Sequence, residues 1–174
     1  MKMKKRLISL FIALFPLGIS FLASRTDLLS SNLSGLYPGR YYYVLMLLVI
    51  FAGFIFFIAY KTIINTFWAV LVLSAFFLSV ILPYKADDVW LLNLHILNGY
   101  LSFALLTSSV FKGISTFYIE DHRLFTRLFK IFLLLMGFIV ITFIYFMGVN
   151  GLMEIIYLSI ISFITLIMYV KKAQ

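Results

Sequence analysis

Long runs of apolar residues dominate this chain and limit its fold more than any other feature. Each of six runs approaches the roughly 20 residues that an α-helix needs to cross the hydrocarbon core of a bilayer. The runs cover residues 7–23, 41–60, 63–83, 90–111, 125–147 and 151–170, approximately. Hydrophobic residues make up 64% of the sequence, whereas soluble domains contain roughly 45–50%. The sequence therefore predicts an all-α, polytopic bundle of six transmembrane helices.

We expect residues 1–174 to form a single transmembrane domain. The longest polar stretch, residues 24–40, is much shorter than an independent soluble domain. The chain has no cysteine, so disulfides and thiolate metal sites are excluded.

The first apolar run has two interpretations. Basic residues precede it, and the small residues Ala23 and Ser24 follow it, a pattern that also suits a cleaved signal peptide. The run is longer than the usual 7–15 apolar residues of such peptides, and Pro16 is tolerated in a transmembrane helix. We therefore expect an uncleaved first span.

The basic residues predict the orientation of the bundle. With both termini in the cytoplasm, eleven basic residues lie inside: Lys2, Lys4, Lys5, Arg6, Lys61, Lys112, Arg123, Arg127, Lys130, Lys171 and Lys172. Only Arg25, Arg40 and Lys85 lie outside, as the positive-inside rule requires. The net charge of +8 is thus a topology signal, and we expect no nucleic-acid partner because no basic domain is present to hold a duplex. We expect a multi-pass protein of the bacterial cell membrane.

Two tight connections are predicted between spans. Lys61-Thr62 is expected to join spans two and three, and residues 148–151, with Asn150-Gly151 as turn chemistry, to join spans five and six. Short connections make consecutive helices antiparallel neighbours.

His95 and Glu154 are ionisable side chains inside apolar runs. Placing such groups in a bilayer is costly, so each is a candidate functional residue that needs a partner. His95 would lie roughly 7–9 Å below the outer end of span four at 1.5 Å per residue, and Glu154 one turn into span six. We predict that the two face each other, and a separation above about 10 Å without a polar group between them would contradict this.

Span four carries the densest polar pattern. At 100° per residue, His95, Asn98 and Ser102 share one face, while Asn93 and Thr107 share the opposite face. A helix that is polar on two sides is expected inside the bundle, with hydrogen bonds to neighbours in both directions. The polar groups serve either as contacts between helices or as a binding site.

The predicted ligand-binding set joins these groups to the acidic mouth of span four: His95, Glu154, Asn98, Asp87, Asp88, Ser102 and Asn93. Two simpler roles stay open. Asp87 and Asp88 could cap the helix, and Glu154 could be an interfacial carboxylate that is paired with a basic side chain.

The start of span five carries a second basic pattern. Arg123, Arg127 and Lys130 follow one another at i, i+4 and i+7 on one helix face. We expect them to contact anionic lipid headgroups, while Glu120 and Asp121 can cap the helix.

Catalytic motifs are missing from the sequence. It has no HExxH, G-x-S-x-G elbow, P-loop or dinucleotide fingerprint. We therefore predict a non-enzymatic protein without a metal site, catalytic residues or a cofactor.

A resemblance is carried by the end of span three and the start of span four. Leu82-Pro83-Tyr84, Asp87-Asp88, Trp90 and Leu94-His95 resemble the DRAM-like six-span group and its bacterial relatives. The resemblance implies six helices with both termini inside and a role linked to membrane lipids or to organising other membrane proteins. It points to Pro83 and His95.

Two other classes stay open. Substrate-binding subunits of vitamin importers have a similar size and topology, with an outer pocket roofed by the first loop, but span one lacks their stripe of small residues. An immunity protein against a membrane-active toxin is the other. The prediction is an integral membrane protein whose outer-leaflet polar site binds a lipid or small polar molecule, with membrane lipids and a possible membrane protein as partners.

Overall fold

The computed structural model describes residues 2–25, 33–36, 39–82, 85 and 87–173. Within these ranges the chain is helical and has no strand, which confirms the predicted all-α class. The helices are α1 (Lys2–Ala23), α2 (Arg40–Ile63), α3 (Thr66–Ile81), α4 (Val89–Ser115), the single turn α5 (Phe117–Glu120), α6 (His122–Phe146) and α7 (Gly151–Lys172). A short 3-10 turn, Leu33–Leu36, precedes α2.

Five of the six long helices in the described ranges have the length and apolar composition to cross a membrane. They are α1, α2, α6, α7 and the stretch Val89–Glu120, which contains α4 and α5. The sixth, α3, has 16 residues and extends about 24 Å at 1.5 Å per residue, less than the roughly 30 Å of a hydrocarbon core. The predicted third span is therefore a shorter apolar helix.

The predicted turn at Lys61-Thr62 is wrong, because α2 continues through both residues to Ile63. A lysine suits the carboxyl end of a helix, where the helix dipole is negative. The break comes at Ile64 and Asn65, where the Asn65 side chain accepts a hydrogen bond from the Trp68 amide at 3.2 Å. Asparagine is a preferred N-cap residue, so Asn65 was the stronger signal.

Side-chain caps also fix the starts of α4, α6 and α7. Asp88 accepts hydrogen bonds from the Trp90 and Leu91 amides at 3.1 Å, which supports the capping interpretation of this residue. Asp121 accepts from the Leu124 amide at 3.1 Å. Asn150 accepts from the Met153 amide at 2.9 Å, so α7 begins at Gly151 as predicted.

The core is built where α1, α2 and α3 meet. The rings of Phe15, Phe56 and Phe76 lie 5.0–6.0 Å apart and are almost fully buried. The backbones of α2 and α3 approach closely at Gly53, where an added Cβ would lie 2.9 Å from Cβ of Phe76. Helix α1 also packs along α7.

The position of α4 corrects the expectation that this helix lies inside the bundle. No residue from 89 to 101 is buried, so the first half of α4 lies at the edge of the bundle, whereas Leu106, Val110 and Ile114 in its second half are buried. Its polar groups still reach neighbours in two directions, as predicted. Ser102 donates to the Ala75 carbonyl of α3 at 2.7 Å, and Thr107 lies 2.9 Å from the Tyr157 hydroxyl of α7. These bonds satisfy the polar groups without enclosing the helix.

The two ends of the bundle differ chemically. At one end, which we call the basic end, α1 begins, α7 ends and α5 joins α6. Lys5 donates to the Ala173 carbonyl there, and Lys172 pairs with Glu120 at 2.6 Å. The opposite end, where α2, α4 and α7 begin, we call the cavity end.

Candidate functional site

A cavity of about 720 Å³ opens toward the cavity end of the bundle. We call it the lateral cavity. Helices α1, α2, α3, α4, α6 and α7 and the turn Leu33–Leu36 all contribute to its wall. Most of the wall is apolar: Phe15, Leu33, Leu45, Val49, Phe76, Val80, Leu92, Ile96, Gly99, Phe103, Leu106, Ile139, Val140, Phe143, Ile144, Gly148, Val149, Met153 and Leu158. Its polar side chains are Tyr42, Ser79, His95, Tyr100, Ser102, Glu154 and Tyr157.

Part of the cavity wall is exposed on α4 and α6. Near the basic end these helices are in contact, because the Phe111 ring lies 6.2 Å from that of Phe129 and 6.0 Å from that of Phe132. Nearer the cavity end, Tyr100 of α4 and Ile144 of α6 line the cavity and are 51% and 65% exposed. In a membrane-embedded protein these two side chains would face the lipid acyl chains.

Glu154 lies at the cavity end of the wall and holds the turn that precedes α2. Its Oε2 atom accepts a hydrogen bond from the Leu33 amide at 2.6 Å. Leu33 and Leu36 are both buried, so the carboxylate and two leucines fix this part of the first loop on the bundle. No basic side chain pairs with Glu154 among the described residues, which contradicts the interpretation of an interfacial ion pair.

His95 is half-buried and lines the same cavity from α4. Its Nδ1 atom lies 2.8 Å from the carbonyl oxygen of Leu82, just after α3. A carbonyl only accepts hydrogen bonds, so Nδ1 carries the proton in this contact. His95 and Glu154 thus share one cavity, and each is oriented by a backbone group.

Four cavity side chains with hydroxyl groups, Tyr42, Ser79, Ser102 and Tyr157, are also hydrogen-bonded to the protein. Tyr42 donates to the Val80 carbonyl at 3.1 Å, Ser79 to the Phe76 carbonyl at 2.7 Å, and Tyr157 shares a bond with Thr107. Buried polar groups in a membrane require such partners. The middle of the cavity therefore presents an effectively apolar surface.

Only some residues of the predicted ligand-binding set line the lateral cavity. His95, Glu154 and Ser102 line the lateral cavity, whereas Asn98, Asn93, Asp87 and Asp88 are outside its wall. Asp87 and Asp88 are exposed, and Asp88 is engaged as a cap. Asn93 is exposed. Asn98 was assigned to the His95 face from helical periodicity, but the cavity wall on α4 extends from Ser102 and His95 toward Tyr100, away from Asn98.

Sequence reasoning missed Gly99, Tyr42 and Tyr157. An ideal Cβ on Gly99 would have no neighbouring atom within 4 Å, since the residue borders open space. For Tyr42 and Tyr157 the available signal was a tyrosine within an apolar run. Whether such a tyrosine lines the cavity depends on how the helices pack. Pro83, to which the resemblance points, lies outside the described residues.

The predicted lipid-headgroup residues lie at the basic end. Arg123 and Arg127 line a groove of about 550 Å³ between α6 and α7, which we call the basic groove. Its wall consists of Asp121, Arg123, Leu124, Arg127, Leu166, Ile167, Val170 and Lys171. Lys130 is exposed but is not part of this wall.

Metal binding finds no support in the described ranges, where no group of three or more His, Asp or Glu side chains could hold an ion. No protein-family model, curated protein or solved structure matches the chain. The resemblance to the DRAM-like group therefore stays a prediction.

Proposed function

We propose that this protein binds a membrane amphiphile in the lateral cavity, with an acyl chain along the apolar wall and a polar head near His95 and Glu154. The observation that carries this proposal is an apolar cavity whose wall includes exposed residues of α4 and α6, Tyr100 and Ile144, from which we infer that a lipid chain enters sideways between these helices. We also propose that the protein crosses the bacterial cell membrane several times, has both termini in the cytoplasm and is not an enzyme.

The size and chemistry of the cavity support an amphiphile. A volume of about 720 Å³ lies within the usual range of small-molecule sites, roughly 300–1,000 Å³. The ionisable groups lie toward one end, and the deeper wall around Val49 and Leu106 is apolar. A lipid has the same division between head and chain.

The importer alternative shares the outer pocket beneath the first loop. A water-soluble vitamin would need polar groups directed into the pocket, yet the hydroxyls of Tyr42, Ser79 and Ser102 are bound to backbone carbonyls. An amphiphile is the better fit to this wall. A role in toxin immunity or in organising other membrane proteins stays a prediction.

Gly99 offers a direct test, because it lines the cavity and a Cβ added there would have no atom within 4 Å, so we expect a larger side chain at this position to occupy the cavity. The expected result is that wild-type protein purified in mild detergent retains a lipid in native mass spectrometry, and that Gly99→Phe loses it by roughly tenfold or more, as loss of about 1.4 kcal/mol of binding would cause. Gly137→Phe is the matched control, since Gly137 also has open space but lies outside the cavity wall.

Equal lipid retention by the Gly99→Phe and Gly137→Phe variants would contradict the proposal. So would a wild-type spectrum without a bound species under conditions in which the protein stays folded.

A further inference from the structure

The acidic side chains at the basic end are already engaged. Glu120 pairs with Lys172 at 2.6 Å, and Asp121 pairs with Lys171 at 3.0 Å. Asp121 also caps α6 through the Leu124 amide. Within the described part of the chain, neither Arg123 nor Arg127 has an ion-pair partner. The basic groove thus contains three cationic side chains and one carboxylate, which leaves it with an excess of positive charge.

The two arginines are placed to hold a phosphate together. They are one helical turn apart on α6, a spacing that puts their Cβ atoms about 5–6 Å apart, and both are exposed. The guanidinium group stays charged and presents paired donors that match phosphate oxygens. Two such groups on one side of a groove can bind different oxygens of one phosphate group at the same time.

The rest of the groove is apolar and continues along the helices toward the membrane interior. Leu124 contributes from α6, and Leu166, Ile167 and Val170 contribute from α7. A soluble anion would leave this surface uncovered, whereas the glycerol backbone and first methylene groups of a lipid would cover it. Charge complementarity and the apolar floor together specify a phospholipid.

We infer that the basic groove binds an anionic glycerophospholipid, with Arg123 and Arg127 holding its phosphate and the α6–α7 surface holding the start of an acyl chain. This site is at the opposite end of the bundle from the lateral cavity, and it does not depend on the amphiphile proposed there.

The test uses the full chain in nanodiscs that contain equal amounts of phosphatidylglycerol and phosphatidylcholine. Native mass spectrometry of released wild-type protein is expected to show bound phosphatidylglycerol enriched over phosphatidylcholine by roughly tenfold, given the usual contribution of each basic residue near anionic lipid. Arg123→Gln combined with Arg127→Gln should remove the enrichment. Lys61→Gln combined with Lys112→Gln should retain it, because these exposed lysines lie outside the groove and the charge change is the same.

A second variant separates the lipid from a free anion. Ile167→Trp narrows the apolar part of the groove and keeps both arginines, so it should also reduce the enrichment, and excess inorganic phosphate should not displace the lipid. Equal loss in the lysine control, no effect of Ile167→Trp, or displacement by phosphate would each overturn the inference. Gly99→Phe should leave the enrichment unchanged. This variant therefore distinguishes a failure of the inference for the basic groove from a failure of the proposal for the lateral cavity.

Discussion

At the scale of single residues, Glu154 shows how a costly group in an apolar helix can serve structure beside a binding site. Its carboxylate accepts the Leu33 amide and holds a buried turn at the cavity end. We expect Glu154→Ala to release this turn, so that hydrogen exchange of the Leu33 amide accelerates by roughly tenfold, since one lost hydrogen bond costs about 1–1.5 kcal/mol. Glu120→Ala, at the basic end, is the control and should leave this exchange rate unchanged.

Asp121 predicts a dependence of stability on pH. The Leu124 amide and the Lys171 side chain both stabilise the carboxylate and lower its pKa below the ordinary value. Its contribution is therefore complete above the ordinary carboxyl pKa of about 3.9 and is lost as the pH falls through the lower folded value. Asp121→Asn should melt at a lower temperature than wild type at pH 7, and this difference should shrink below about pH 4. A difference that stays constant from pH 7 to pH 3 would argue against the assignment.

At the scale of helices, the close approach of α2 and α3 depends on Gly53. A methyl group there would lie 2.9 Å from Cβ of Phe76, which is fixed to the backbone and cannot move alone. We expect Gly53→Ala to destabilise the bundle by about 1–3 kcal/mol through overpacking, measured as a lower melting temperature in detergent. Gly137→Ala has no atom within 4 Å of the added Cβ and should be neutral or slightly stabilising because alanine favours helix. Equal melting temperatures for the two variants would contradict this packing.

Helix boundaries were predictable where a capping residue marks them. Asp88, Asp121 and Asn150 each precede a helix and accept a backbone amide. The error at Lys61-Thr62 arose because the N-cap signal of Asn65 was not used. The edge position of α4 was not predictable from its polar pattern, since polar groups in a membrane helix need partners but not enclosure.

The candidate site was predictable only in part. His95 and Glu154 stood out because ionisable groups are rare in apolar runs, and both line the cavity. Gly99 could not be recognised, because its importance comes from its place on the cavity wall beside open space. This place depends on how the helices pack and leaves no local pattern in the sequence.

At the scale of the whole molecule, the two ends of the bundle offer different chemistry to the membrane. The cavity end combines the lateral cavity with His95 and Glu154. The basic end combines the basic groove with two arginines that have no ion-pair partner within the described ranges. We propose two separate lipid contacts for this arrangement, one in the lateral cavity and one in the basic groove.

The most direct measurement is photocrosslinking from inside the lateral cavity. Phe103 lines the cavity, and its ring lies 4.8 Å from that of Tyr157, so p-benzoylphenylalanine at this position reaches an acyl chain only if the chain enters the cavity. Phe56 is the control, because it is fully buried and outside the wall. Irradiation in native membranes should give an adduct with the mass of a membrane lipid at position 103 and none at position 56. Crosslinks from position 103 to protein alone would contradict the binding of an amphiphile in this cavity.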